Sequence, residues 1–126
     1  MRLACFRQRL FKKDIAAMSA LQALELATLG GAKLLGLENE IGSLEVGKKA
    51  DLAVINLQQA HLAPMTKGRH SNVIALIVFS CSALDVEMVL IDGKVVLRDC
   101  KLQTVDEGQI IARVTEFAER ALAKVE

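Results

Sequence analysis

The sequence predicts a single α+β domain, and three observations carry that reading. Asp92-Gly93 sits between two apolar runs, Leu3, Phe6 and Leu10 recur at helical spacing near the start, and a stripe from Ile110 to Leu122 repeats that spacing near the end. With 126 residues and 52% hydrophobic content, the chain has material for one core of moderate size.

Residues 1–40 read as helical. A first helix is predicted from Leu3 to Lys12, ending before Asp14, and Ser19 is placed to cap a second. Leu21, Leu24, Thr28, Leu34 and Leu35 lie on related faces beyond that cap, but Gly30-Gly31 costs helix stability, so two helices joined at that pair are expected. Five of the 16 basic residues fall within residues 1–13 with no acid among them, leaving 11 basic against 15 acidic in the rest. Without a serine-rich tract, that bias fits a helix end resting on an acidic neighbour better than a transit peptide.

Residues 41–105 read as a sheet region. Its entry, IGSLEVGKKADLAVI from Ile41 to Ile55, places Gly42 and Gly47 where tight turns with positive φ are expected. A strand comes next, from Asp51 to Leu57, then a long polar loop from Gln58 to Asn72. Val73 to Phe79 lacks polar alternation and is predicted to be a strand covered on both faces. Asp92 and Gly93 suit a two-residue type I′ hairpin. That turn pairs Ile91 with Lys94, Leu90 with Val95, Met88 with Leu97 and Glu87 with Arg98, giving an apolar face of Leu90, Val95, Met88 and Leu97. Residues 106–126 complete the unit, with a helix from Asp106 to Lys124 expected to pack its apolar stripe on the same molecule.

Bulk properties exclude several functions. A net charge of +1 and the absence of Trp and Tyr give no reason to expect nucleic acid. No apolar run approaches the roughly 20 residues needed to span a bilayer, so no membrane partner is predicted. Cys5, Cys81 and Cys100 are odd in number and widely spaced, which predicts a reducing cytoplasm. With His61 and His70 they form no recognisable metal spacing, so no metal or cofactor site is predicted.

Cys81 with His61 or His70 is the sole candidate set for nucleophilic catalysis, and a packed thiol is the preferred reading. Turn duty is preferred for Asp85, Asp92 and Asp99. Gly42, Gly47, Lys48 and Lys49 could cradle an anion, yet phosphate loops run from strand to helix and this segment runs the other way. No catalytic, cofactor-binding or metal residue is therefore assigned, and Gly42, Gly47, Asp92 and Gly93 are assigned as structural turns.

The order of segments ALELATLGGAKLLGLENEIGSLEVGKKADLAVINL, HLAPMTKGRHSNVIALIVFS, DVEMVLIDGKVVLRD and TVDEGQIIARVTEFAERA resembles the C-terminal part of the metal-dependent amidohydrolase superfamily. The resemblance is to the adenosylhomocysteine/methylthioadenosine deaminase, guanine deaminase and chlorohydrolase branch. It extends to MRLACFRQRL, similar to the helix after the last barrel strand.

That resemblance implies the C-terminal half of a composite β-sandwich, flanked by the last helices of a (β/α)₈ barrel and a C-terminal helix. It implies hydrolysis of C–N bonds on zinc or iron in the whole family. The family's metal ligands correspond to positions before Met1, so none is carried over to this chain. A truncated or separately encoded C-terminal part is expected, without activity alone. The alternative is a module that completes a separate barrel chain, or that binds a small anion through His61, Lys67, Arg69 and His70 of the 58–72 loop. Family members commonly carry glycine where this chain has Cys100, and often one near Ala83. Finally, strands expecting partners elsewhere in the fold should leave apolar surface bare, at roughly 12 kcal/mol per 500 Å². A homodimer or higher oligomer is the predicted remedy.

Overall fold

The computed structural model describes residues 1–123. Helix α1 spans Arg2–Lys12 and stops where Lys13 turns left-handed at φ 51°, one residue before Asp14. Ser19 caps α2 (Ala20–Glu25) through a reciprocal box: its hydroxyl accepts from Gln22 N–H while the Gln22 side chain accepts from Ser19 N–H. The expected break at Gly30-Gly31 does not occur. The chain passes from α2 through a π-helical turn, Leu26–Gly30, directly into α3 (Gly31–Leu34), with both glycines in ordinary right-handed geometry. The helix absorbs its misfit as one wide turn, where the Thr28 hydroxyl donates back to Leu24 O at 2.9 Å.

The second correction concerns Val73–Phe79, which is a helix, α4, and not a strand. A seven-residue apolar run has no polar alternation to distinguish the two states, and its β-branched content favours the wrong one. Tertiary packing decides. Val78 is buried with Cys5, Met18 and Ala23, and Phe79 lies at the edge of that cluster, stacked on Phe6 with centroids 6.1 Å apart. Arg9 completes the corner, its guanidinium 5.3 Å from the Phe79 ring centre and donating to Met18 O at 3.0 Å. The main core thus sits where α1, α2 and α4 meet.

The sheet is antiparallel with four strands in sequence order: β1 (Leu52–Ile55), β2 (Val86–Ile91), β3 (Lys94–Arg98) and the two-residue β4 (Lys101–Leu102). Asp92 and Gly93 take φ of 51° and 74°, as a type I′ turn requires. The predicted register holds for Ile91 with Lys94 and Leu90 with Val95, then slips. Val89 faces Leu97 and Met88 faces Arg98, so the expected pairs Met88–Leu97 and Glu87–Arg98 are replaced. A bulge places one extra residue, Val96, in β3 and redirects the side chains beyond it.

Helix α5 (Glu107–Leu122) begins at Asp106, whose carboxylate accepts from Gln109 N–H at 3.1 Å. Its predicted end at Lys124 lies outside the described residues. The expected packing on the same molecule is not found: every described residue from 101 onward is exposed, with Phe117 at 74%. No described helix is long and apolar enough to cross a membrane.

Candidate functional site

The sequence between β1 and β2 brings together the groups with most chemical potential. Ser82 starts a short 3₁₀ turn, Ala83–Asp85, and the Asp85 carboxylate folds back to accept from Ser82 N–H at 2.7 Å and from the Ser82 hydroxyl at 3.1 Å. His61, on another turn of the 58–72 loop, reaches the same oxygen, Oδ2, at 3.0 Å. Asp85 is buried at 3% exposure. The Ser82 amide, above all, holds its carboxyl below the usual carboxylate range against the opposing effect of burial, with His61 and the Ser82 hydroxyl adding to it. Asp85 O also accepts from Asn56 N–H at 2.7 Å, joining the end of β1 to the start of β2.

Serine, histidine and aspartate in contact invite comparison with a hydrolytic triad. The connections are wrong for one. A triad routes the serine proton to histidine and the histidine's other nitrogen to aspartate, whereas here the serine hydroxyl and the histidine ring both address one carboxylate oxygen. Nor is the Cys81 thiol activated, since burial first and the Asp85 charge second push it up, keeping it protonated. The cluster is an anchor. It clamps the start of the loop to the sheet beside Leu62, which is fully buried, while Asn72 ties the rest of the loop to itself, its amide side chain bridging Thr66 N–H and Pro64 O at 2.9 Å each. The long polar loop is thus pinned near its start through His61 and folded on itself through Asn72, while Lys67, Arg69 and His70 remain on its exposed surface.

Asp85 thus does turn duty and more. The S-x-x-D spacing of Ser82 and Asp85 was a readable capping signal. The pairing with His61, 24 residues away, had no local signal.

The Gly42–Gly47 corner is similarly self-contained. Both glycines take φ of 94°. Lys49 Nζ lies 2.7 Å from Glu40 Oε2 and Lys48 Nζ lies 3.3 Å from Glu45 Oε1 and 2.7 Å from Ser43 Oγ. Each lysine therefore has an acid of its own, which removes the motive for an anion cradle. Beyond the corner, Asp51 accepts from Asp92 N–H at 2.7 Å and Ala50 O accepts from Gly93 N–H at 3.1 Å. The corner grips the hairpin turn.

A cleft of about 560 Å³ runs beside the π-helical turn, lined by Met18, Leu26, Leu29 and Gly30 with Glu25 and Lys33 among its polar groups. It is open and largely apolar, and no motif in the sequence pointed to it. Among the described residues, no group of three His, Cys, Asp or Glu side chains could hold a metal ion.

Comparison with known proteins gives these features a family. The Amidohydrolase family profile matches residues 1–96. A 5-methylthioadenosine/S-adenosylhomocysteine deaminase from Syntrophomonas wolfei is 39% identical over 124 residues, covering 98% of this chain and 28% of that protein. A 5'-deoxyadenosine deaminase from Methanobrevibacter smithii is 36% identical over 119 residues, covering 94% and 26%. An adenosine deaminase structure from Xanthomonas campestris with bound zinc superimposes with a TM-score of 0.85 at 30% identity, covering 94% of this chain and 26% of that one. The chain spans about a quarter of the length of these relatives. Zinc does not fit the described residues here, which offer no ligand set for it. Sequence and fold agree, and the chain belongs to the amidohydrolase family.

Proposed function

We propose that this chain is the C-terminal structural module of a deaminase-like amidohydrolase, an enzyme class that hydrolyses C–N bonds. It supplies helices and a sheet, and the metal ligands and reacting groups come from elsewhere in the fold. One observation carries the reading: apart from His70, which lies with Lys67 and Arg69 on the exposed loop surface, the side chains singled out for catalysis or anion binding near the sheet are already committed to structure. His61 and Ser82 are bonded to Asp85, Cys81 is held as a thiol, and Lys48 and Lys49 are paired with acids.

In this reading the four strands form part of a composite β-sandwich whose remaining strands come from another segment. The Gly42–Gly47 corner is the crossing from the helical part to that sandwich. The purified chain, supplied with zinc and tested with adenosine, 5-methylthioadenosine, S-adenosylhomocysteine and a chlorotriazine, is expected to show no turnover above buffer. Clear turnover that rises with chain concentration would sink the proposal.

A further inference from the structure

Between Asp51 and Asp85 the chain carries no acid, while His61, Lys67, Arg69 and His70 all fall within that stretch. His61 is engaged by Asp85. The other three basic residues stand within four consecutive positions, all exposed, and none of the ion pairs among the described residues includes them. Elsewhere the fold answers neighbouring cations with acids, as it does for Lys48 and Lys49. Here it does not.

The backbone that carries these side chains is held in place. Asn72 Oδ1 accepts from Thr66 N–H and the Asn72 amide nitrogen donates to Pro64 O, both at 2.9 Å, while the Thr66 hydroxyl donates to His70 O at 2.5 Å. Ser71 N–H closes the short 3₁₀ turn, Gly68–His70, on Gly68 O at 3.1 Å. The turn is therefore ordered before anything binds to it, and a ligand does not have to supply that ordering. Positions three apart eclipse in a 3₁₀ turn, which brings Lys67 and His70 to one side, and Arg69 follows a third of a turn away on a long side chain. Between them Gly68 takes a φ of 70°, and a Cβ there would meet nothing within 4 Å, so the centre of the basic turn is open.

We propose that Lys67, Arg69 and His70 form a binding site for a small oxyanion of the phosphate type. The guanidinium offers a planar fork of donors matched to such an anion, the ammonium a mobile point charge, and the imidazole one N–H donor in either tautomer. His61, which lies in the same acid-free stretch, is no part of the site because its Nε2 is held by Asp85. The occupant is a free anion and not a membrane headgroup, since residues Thr66 to Ser71 include no large apolar side chain to enter a bilayer. No turnover is asked of this site, so it goes beyond the structural-module reading and does not depend on it.

Helix α1 supplies an internal control. Arg7 and Lys12 are also exposed cations, but they lie five residues apart on the helix and so point to different faces. The isotope-labelled 126-residue chain is titrated with inorganic phosphate and followed by amide chemical shifts, with sodium chloride holding the ionic strength constant. Saturable shifts confined to residues 66–72 are expected, with a dissociation constant on the order of 1 mM. The double variant K67A/R69A should bind roughly tenfold more weakly, whereas R7A/K12A, which removes the same two charges from α1, should bind as the parent does. Circular dichroism spectra matching the parent establish that both variants are folded. The absence of saturable shifts up to about 20 mM phosphate would overturn the inference. So would shifts spread equally over α1, equal losses in the two double variants, or flotation with phosphatidic acid vesicles by a chain that ignores free phosphate. Turnover by the chain alone would instead overturn the function proposed above, so the two failures are distinguishable.

Discussion

Replacing Gly42 by alanine, with Gly47→Ala as its control, separates the cost of a backbone conformation from the cost of a close approach. The two glycines share a φ of 94°, which a side chain tolerates poorly. For Gly47 that is the whole penalty, because a Cβ there would meet nothing within 4 Å. Strain of about 1–2 kcal/mol, partly offset by a stiffer unfolded chain, predicts a loss of about 1 kcal/mol.

A Cβ on Gly42 would lie 2.8 Å from Ala32 Cβ, 3.2 Å from Thr28 O and 3.3 Å from Leu29 Cα. None of these atoms is the end of a flexible side chain, and Ala32 is 3% exposed. The turn and the helix must separate, adding about 1–3 kcal/mol of overpacking. Gly42→Ala is therefore expected to lose about 2–4 kcal/mol in total. Urea titrations followed by far-ultraviolet circular dichroism measure both variants, with equal slopes required before midpoints are compared. Equal losses at the two positions would refute the argument, since they would mean that the corner does not pack against α3 as described.

Three further perturbations test the same geometry. Leu62→Ala empties a fully buried site under the 58–72 loop, and a loss of about 2–5 kcal/mol in the same titration is expected. Cys100→Gly relieves a side chain at φ 58°, and a gain of about 0.5–1 kcal/mol should appear as a raised denaturation midpoint, whereas Cys100→Val should lower it. Asp85 has a lowered folded pKa, so its stabilising contribution is present above the ordinary carboxylate value of 3.8 and is lost as pH falls through the folded value below it. Stability measured from pH 6 down to pH 2 should fall less steeply in Asp85→Asn than in the parent chain.

The sequence by itself determined the local backbone events. The Ser19 and Asp106 caps, the left-handed Asp92-Gly93 turn and the positive φ of Gly42 and Gly47 depend on chemistry within a few residues, and each is readable there. The family was legible for a related reason, since many short segments agree in order and none needs its neighbours in space to be recognised.

Tertiary structure decided what local preference left open. Val73–Phe79 is apolar enough for strand or helix, and becomes a helix because Val78 and Phe79 cover α1 and α2. The hairpin turn sets its first two pairs, but the bulge at Val96 and the bond from Gln103 N–H to Val96 O belong to the assembled sheet. Asp85 finds His61 across 24 residues, a meeting no spacing rule encodes. The α5 stripe reads as a buried face and stands exposed, because amphipathicity specifies that a face be covered without specifying by what.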